Sequence, residues 1–421
     1  MINLRDKTIL VYDYGTNCDF AMKMVETYGR VLLYCPFDEA YPNPYRGRIG
    51  TGLFGVEKIT NIWDYYDEVD IWAFTHLFQG EFQDWLRSRG KLVYGAGKGE
   101  SLEIYRDQFK SLQKHLEMPL NNYKEIIGID ALCEYLKVNE DVYIKNNIYR
   151  GIMESWHHDN YETSRPYLDF LRSEYGMYQD REKFIVETPI CEDCTVEYGF
   201  DGFCINGEFP SKTIFGLEVK DAGYICKFID YNLLPKPVLY SNDKLAPIMR
   251  SYGYKGWYSN EMRSISKKEA VVTDMTCRHA SPPTSLALEM FKYFGEIVWQ
   301  VANGIVPEIE AKYKYGCQLI ISCEWARKEP LAITFPPEYK DFVKIKNLSI
   351  ENGVYWFLPQ VDEMVQVGCV LGVGHTMEAA QNHAKKIAKS VKGFNIEINY
   401  AALDTANESI EKLVKNGINI L

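Results

Sequence analysis

The sequence predicts a multidomain chain of mixed α/β and α+β construction, and three observations predict it. Apolar bursts alternate with amphipathic stretches over the first hundred residues, the rhythm of a small, mostly parallel sheet with helices on its faces. Beyond about Ser101 the chain changes to short strands joined by turns, the habit of antiparallel sheet, and it changes again after Gly304. The length of 421 residues favours two or three domains over one.

Each element follows in order. Thr8–Tyr12, Val31–Cys35, Asp70–Phe74 and Lys91–Tyr94 are apolar runs of strand length, and Phe20–Tyr28 and Phe78–Arg89 carry helical periodicity between them. Cys35–Gly55 is a Pro-rich excursion expected to be irregular. Leu102–His115 reads as a helix that Met118-Pro119 stops. Val142–Lys145 and Phe184–Glu187 are short strands, and the polar, aromatic 146–181 between them holds a helix near Pro166–Tyr175. Thr195–Ile205 alternates and ends in Asn206-Gly207, a favoured hairpin turn. Gly256–Arg263 and Ala270–Cys277 are two more strands joined by an exposed connection with lysines 267 and 268. Ser285–Ala302 reads as one helix. Strands near Gln318–Cys323 and Gln366–Leu371 precede a helix at Met377–Val391, whose Lys385, Lys386 and Lys389 form a solvated face.

Composition narrows the function classes. With 47 Lys+Arg against 58 Asp+Glu the net charge is −11, and 46% hydrophobic with 25% charged residues is ordinary globular composition. The acidic excess argues against nucleic acid as a bulk partner, which needs a basic footprint, but leaves room for a local basic pocket. No stretch reaches the roughly 18 to 20 apolar residues of a membrane span. Met1–Lys7 runs into a strand without a signal-peptide core, and the eleven cysteines are odd in number and scattered. A cytoplasmic location is therefore expected, with no membrane partner.

Several local motifs fail on inspection. Tyr94–Ser101, with glycines 95, 97 and 99, lacks the early glycine and the Ser or Thr of a phosphate-binding P-loop, and it does not follow the first strand as a dinucleotide fingerprint would. It reads as a tight strand-to-helix turn. Cys191 and Cys194 enclose only Glu192 and Asp193, with no second ligand pair for zinc. His157-His158 reads as a polar loop pair.

A dispersed set is more informative. Arg106 and Lys110 lie one turn apart on a helix face. Lys145 ends an apolar strand and must find an anion or bear a desolvation cost. Glu187, ending another strand, leads through Thr188-Pro189-Ile190 to Glu197, a pattern able to grip an adenine amino group and a ribose hydroxyl. Asp274, Thr276 and Arg278 share one face of a strand, and Glu261 can meet them across the hairpin. Two carboxylates, a hydroxyl and a guanidinium suit Mg²⁺ bridging nucleotide phosphates.

This order and spacing resemble the ATP-grasp ligases, most of all the phosphoribosylamine–glycine ligase family, along nearly the whole chain. Lys91–Lys110 is similar to the entry into the ATP-grasp unit, Val142–Lys145 to the strand whose lysine touches the nucleotide phosphates, Phe184–Ile190 to the hinge that reads adenine, Glu197–Gly202 to the ribose strand, Ala270–Pro283 to the strand that usually carries Glu-x-Asn-x-Arg, and Gly368–Ala380 to the family's C-terminal segment. The resemblance implies an ATP-grasp fold with a small α/β N-terminal domain (1–100), an ATP-grasp domain (101–310, with a mobile lobe at about 118–190) and a β-rich C-terminal domain (311–421). It implies ATP and Mg²⁺ as cofactors, with Arg106, Lys110, Lys145, Glu187, Ile190 and Glu197 at the nucleotide, Glu261, Asp274 and Thr276 at the metal, and Arg278 and Arg150 in catalysis.

Departures mark the substrate half. Asp274 and Thr276 stand for the usual Glu and Asn. The phosphate loop Asn146–Gly151 has one glycine and an added Arg150, and the amine-side turn is only Tyr14-Gly15-Thr16-Asn17. Ser281-Pro282-Pro283 replaces the usual Asp-Pro-Glu. The implied activity is ATP-dependent joining of a small carboxylate, an amino acid among the candidates, to an amine through an acyl phosphate. Two alternatives stand beside it: a nucleotide-binding module without ligase chemistry, and a non-catalytic interaction protein using the 14% aromatic content as adhesive surface.

Overall fold

The computed structural model describes residues 3–36, 45–148, 155–190, 196–219, 222–266, 269–281, 283–359, 365–415 and 417–418. Arg150, Cys191, Cys194, Lys267, Lys268 and Pro282 lie outside them.

The N-terminal run builds the expected parallel sheet. Its order is Val56–Ile59, Arg30–Tyr34, Thr8–Tyr12, Ile71–Phe74, Leu92–Tyr94, and every neighbouring pair is parallel. These strands are apolar without alternation because both faces are covered, one by helix Cys18–Met24 and the other by an aromatic layer that includes Trp72, Phe74 and Phe82. The glycine cluster is a tight turn into a short 3-10 helix, Gly97–Glu100. Gly97 sits at φ 58, and a Cβ on Gly99 would stand 2.6 Å from the Tyr254 ring, so this turn packs directly against Tyr254.

A small antiparallel sheet follows, ordered Tyr123–Ile127, Lys183–Glu187, Val142–Asn146, Ser155–His158. Helices Ile129–Leu136 and Tyr161–Tyr175 cover one face and give it a separate core around Ile144, Leu168, Leu171 and Phe184. His157 and His158 are thus an edge strand and not a loop. His158 is buried against Ser164 Oγ (2.8 Å) and Leu136 O (3.2 Å), while His157 reaches Asp141 (2.7 Å). With polar partners on both sides, the segment has no apolar period to announce a strand.

The third sheet is large and antiparallel. In order it contains Ala270–Thr276, Lys255–Ser264, Glu197–Ile205, Lys212–Val219, Gly223–Asp230, Tyr315–Ser322, Gln366–Gly374 and Val343–Ile345, with Glu397–Ile398 pairing beside Tyr315–Ser322. Asn206-Gly207 makes the expected turn, with φ 51 and 77. The apolar stretch 285–302 is two helices, Thr284–Met290 and Phe294–Ala302, and not one. Tyr293 between them is left-handed (φ 54), and Phe291 is drawn out of the helical path by a bridge to Ala311. Both halves keep an apolar face, so periodicity alone cannot see the break.

A four-stranded sheet of Leu348–Glu351, Val354–Phe357, Leu331–Thr334 and Lys392–Gly393 completes the fold. Helix Met377–Ala388 packs on the large sheet, with Lys386 and Lys389 exposed and Lys385 3.7 Å from Asp404, as expected of a solvated face. Among the described residues no helix is long and apolar enough to cross a membrane, and all nine cysteines are buried and unpaired.

Candidate functional site

The site lies where the small sheet meets the edge of the large one. Helix Arg106–His115 starts there because its first donors find partners on another element: Arg106 N–H donates to Asn147 O (3.0 Å) and Asp107 N–H to Asn147 Oδ1 (2.8 Å). That capping fixes the helix to the end of strand Val142–Asn146, and Arg106 Nη1 adds a bond to Asn146 O at 2.9 Å. Lys110, one turn on, lies on the same face.

On the small sheet Tyr143 pairs with Glu187, so Lys145, two residues along, lies diagonally beside Glu187 on the same face. Across the gap stands Asp274, on the edge strand of the large sheet. Lys145 Nζ is 2.7 Å from Asp274 Oδ2 and 3.7 Å from Glu187 Oε2, and it donates to Thr273 O at 3.0 Å. Lys110 pairs with Glu187, and Arg106 Nη2 lies 3.6 Å from Asp274 Oδ1. Five charged side chains from four elements thus form one cluster. Four of them are buried and Asp274 is half-buried.

The cluster's electrostatics follow from three cations facing two carboxylates. Burial works against the charge of Lys145, but Asp274 and Glu187 outweigh it and hold the ammonium above its ordinary range. Burial also works against Asp274, yet Lys145 and Arg106 bring its carboxyl down to about 2. Glu187 is lowered in the same way by Lys145 and Lys110. The excess positive charge leaves the cluster ready for an anion.

The neighbouring floor of the large sheet is different. Glu261 is in register with Asp274 across the hairpin, Thr276 with Ser259, and Glu197 with Glu218. Burial, then Glu218, Glu197 and Asp274, push the Glu261 carboxyl well above the usual carboxylate range. Asp201, buried on the same face, accepts from Tyr224 Oη at 2.5 Å, and burial raises it to about 7. Among the described residues no three His, Cys, Asp or Glu gather as metal ligands. Glu261, Asp274 and Thr276 nonetheless offer two carboxylates and a hydroxyl at adjoining register positions. A divalent cation beside them would relieve the crowding that raises Glu261.

The remaining expected residues divide. Glu197 lies on the acidic floor, paired with Arg263 (2.9 Å), outside the Lys145 cluster. Ile190 is half-buried, three residues past Glu187. Arg278 is directed elsewhere: its Nε donates to Glu103 Oε1 (2.9 Å), while Cys277 N–H donates to Glu103 Oε2 (2.6 Å). Glu103 escaped the sequence reading, although a carboxylate between the buried Leu102 and Ile104 was a signal that a cation must meet it. Asp201 escaped likewise, despite standing between Phe200 and Phe203 in an apolar strand.

No protein-family model and no curated protein matches the chain. Solved structures do. The phosphoribosylamine–glycine ligase of Thermotoga maritima is similar with a TM-score of 0.67 at 13% identity, over 93% of this chain and 99% of that one. The biotin carboxylase domain of the Hydrogenobacter thermophilus 2-oxoglutarate carboxylase, solved with MgADP, ADP and bicarbonate, also gives 0.67, at 12% identity over 98% and 96%. The N5-carboxyaminoimidazole ribonucleotide synthetase of Thermotoga maritima gives 0.60 at 13% identity, over 92% and 99%. Likeness across the full length at such low identity establishes the architecture: the chain has the ATP-grasp fold, as its sequence implied.

Proposed function

We propose that this protein is an ATP-dependent carboxylate–amine ligase using Mg²⁺. The observation that carries the reading is the convergence of Arg106, Lys110, Lys145, Glu187 and Asp274, 168 positions apart at the extremes, into one buried cluster with surplus positive charge in a chain of ATP-grasp fold. Lys145 and Arg106 would take the phosphates. Glu187 and Ile190 would face the adenine side, with Lys110 holding the Glu187 carboxylate in place, and Glu197 would reach the ribose. Glu261, Asp274 and Thr276 would hold Mg²⁺, which supplies neutralisation of phosphate charge.

The chain's part in the chemistry is positioning and charge, since phosphoryl transfer needs little covalent help. The substrate carboxylate attacks the γ-phosphate of ATP, ADP leaves with the electron pair of the broken P–O bond, and an amine then displaces phosphate from the acyl phosphate to form the amide. Arg278, held by Glu103, would orient the acyl phosphate and stabilise its charge, and Arg150 would add a second guanidinium. The lobe around residues 118–190 would close over the nucleotide to exclude water, between flanking units at 1–100 and 311–421.

The named relatives act on different acids, one joining glycine and another solved with bicarbonate, so the fold does not choose the substrate. Release of ADP, screened over amino acids, other carboxylates and amines, tests the proposal. ADP that requires one acid and one amine together supports it. A second reading, nucleotide binding without ligase chemistry, is favoured by Asp274 being already engaged by Lys145 and Arg106. It requires ATP to stabilise the Asp274→Ala variant as it does the wild type, with no ADP from any pair.

A further inference from the structure

Behind the charged face of the large sheet lies a cavity of about 320 Å³ that the Lys145 cluster does not use. Glu261, in register with Asp274, and Met262, in register with Val272, are consecutive and so face opposite sides of the sheet. Helix Lys236–Ser251 packs on the side of Met262 and Val272. The connector Met118-Pro119, which leads from helix Arg106–His115 into the small sheet, closes the space between them. A volume of this size is at the lower end of the range for small-molecule sites, about 300–1,000 Å³.

The wall is apolar inside and acidic at the mouth. Met118, Pro237, Met262 and Val272 are buried and line the interior, and methionine adapts readily to an occupant's shape. Glu117 and Glu269 are exposed, and among the described residues they are the only charged side chains of the wall. Neither lies within 4.0 Å of a lysine, arginine or histidine nitrogen among the described residues. Lys244 stands over the Tyr240 ring at 5.5 Å, outside the wall. Ser241 is 1% exposed and belongs to the wall, and its Oγ meets no hydrogen-bond partner among the described residues. A buried hydroxyl left so is costly unless an occupant supplies the partner. Two carboxylates and an unmet hydroxyl call for a positively charged N–H donor.

Short links tie this cavity to the charged cluster. Gln113 Nε2, on helix Arg106–His115, donates to Val272 O at 3.2 Å, and Met118 N–H donates to Gln113 O at 2.9 Å. Thr273, next to Val272, gives its carbonyl to Lys145. An occupant that presses on Met118 and Val272 therefore presses on the helix and the strand that hold Arg106, Lys110 and Asp274.

We propose that this cavity binds a small organic cation, an ammonium group on an apolar ring or chain, with the apolar part among the methionines and the ammonium beside Glu117 and Glu269. Its occupancy shifts the affinity for nucleotide on the opposite face of the sheet. That shift rests on the ligase reading; the binding itself does not.

The test is calorimetric titration and thermal unfolding of the full chain, without nucleotide and again with Mg²⁺ and a non-hydrolysable ATP analogue. The probes are benzylamine, cyclohexylamine and hexylamine, each beside the alcohol and the carboxylate of the same skeleton. At least one amine is expected to bind saturably, with its alcohol and carboxylate counterparts at least tenfold weaker. Glu117→Gln combined with Glu269→Gln should weaken that amine tenfold or more, and should melt with the wild type because both side chains are exposed. Ala270→Leu, which fills the cavity from its wall, should abolish the binding. In the wild type the bound amine should change the affinity for the analogue about fivefold or more, and in the double variant it should not. The site is refuted if no amine binds, if the alcohol binds as well as the amine, or if the affinity survives the double substitution, as it would for an amine seated at a ligase's acceptor position. An amine that binds through Glu117 and Glu269 without moving the analogue's affinity keeps the site and overturns the coupling. An analogue that does not bind at all counts against the ligase reading, and the amine's own titration still decides the site.

Discussion

Asp274 and Glu261 face each other in register on one hairpin, yet their carboxyls are displaced in opposite directions, Asp274 down to about 2 and Glu261 well up. Both feel burial. The difference is the company each keeps. Asp274 stands at the sheet's edge, where the small sheet and helix Arg106–His115 deliver Lys145 and Arg106. Glu261 looks inward to a floor occupied by Glu197 and Glu218. One sheet face thus carries a cation-fed edge beside an acid-rich floor, an arrangement suited to a ligand that is itself an anion bound to a cation. In a triphosphate with its metal, the phosphates would find the edge and the metal the floor.

Removing the cation at the edge has the largest expected effect. Lys145→Met leaves Glu187 and Asp274 without their shared partner, and breaking a buried pair from one side typically costs about 3–5 kcal/mol. Urea unfolding at neutral pH measures it, and ADP release should fall at least a hundredfold in the same variant.

The floor should respond with the opposite sign. Asp201 is raised to about 7, so its neutral form belongs to the folded state. Its contribution to stability is complete below the unfolded carboxyl's value near 4 and is lost as pH rises through about 7. Asp201→Asn should therefore match the wild type in acid and exceed it at pH 8, by on the order of 3 kcal/mol after allowing for a weaker bond to Tyr224. Paired urea titrations at pH 5 and 8 read this, and equal curves at both would remove the floor from the comparison.

Substitution of the facing pair sharpens the contrast. Asp274 is lowered, so its contribution is present above about pH 4 and disappears as pH falls toward 2. Asp274→Asn should cost about 1 kcal/mol at pH 7, a figure discounted for a side chain one-third exposed. Glu261→Gln should instead stabilise the metal-free protein at neutral pH and abolish any melting-temperature rise on adding Mg²⁺. The smallest effect is expected at the floor's rim. The Glu197–Arg263 pair is partly exposed, and Arg263→Ala should cost about 0.5 kcal/mol, within reach of a chemical-denaturation midpoint.

What the sequence made legible was whatever repeats locally. The parallel strands were readable as unbroken apolar runs, and Lys145, Glu187 and Asp274 because a charge at the end of an apolar strand, or alternating along it, points to one face. What stayed hidden depends on partners from elsewhere in the chain. Strands Lys212–Val219 and Gly223–Asp230 were not read at all; Gly216 interrupts the first where Tyr224 crosses it, its hydroxyl only 1.7 Å from where a Cβ would stand. The break at Tyr293 is made by a bridge to Ala311. Arg278 belonged to a readable pattern, but its partner Glu103, 175 positions upstream, did not.

Calorimetric titration of a non-hydrolysable ATP analogue, with and without Mg²⁺, tests most directly whether edge and floor serve one ligand. A single saturable site is expected, weakened at least tenfold by Lys145→Met, and strengthened by Mg²⁺ in the wild type but not in Glu261→Gln. Absence of binding, or affinity that is unchanged in both variants, would contradict the account.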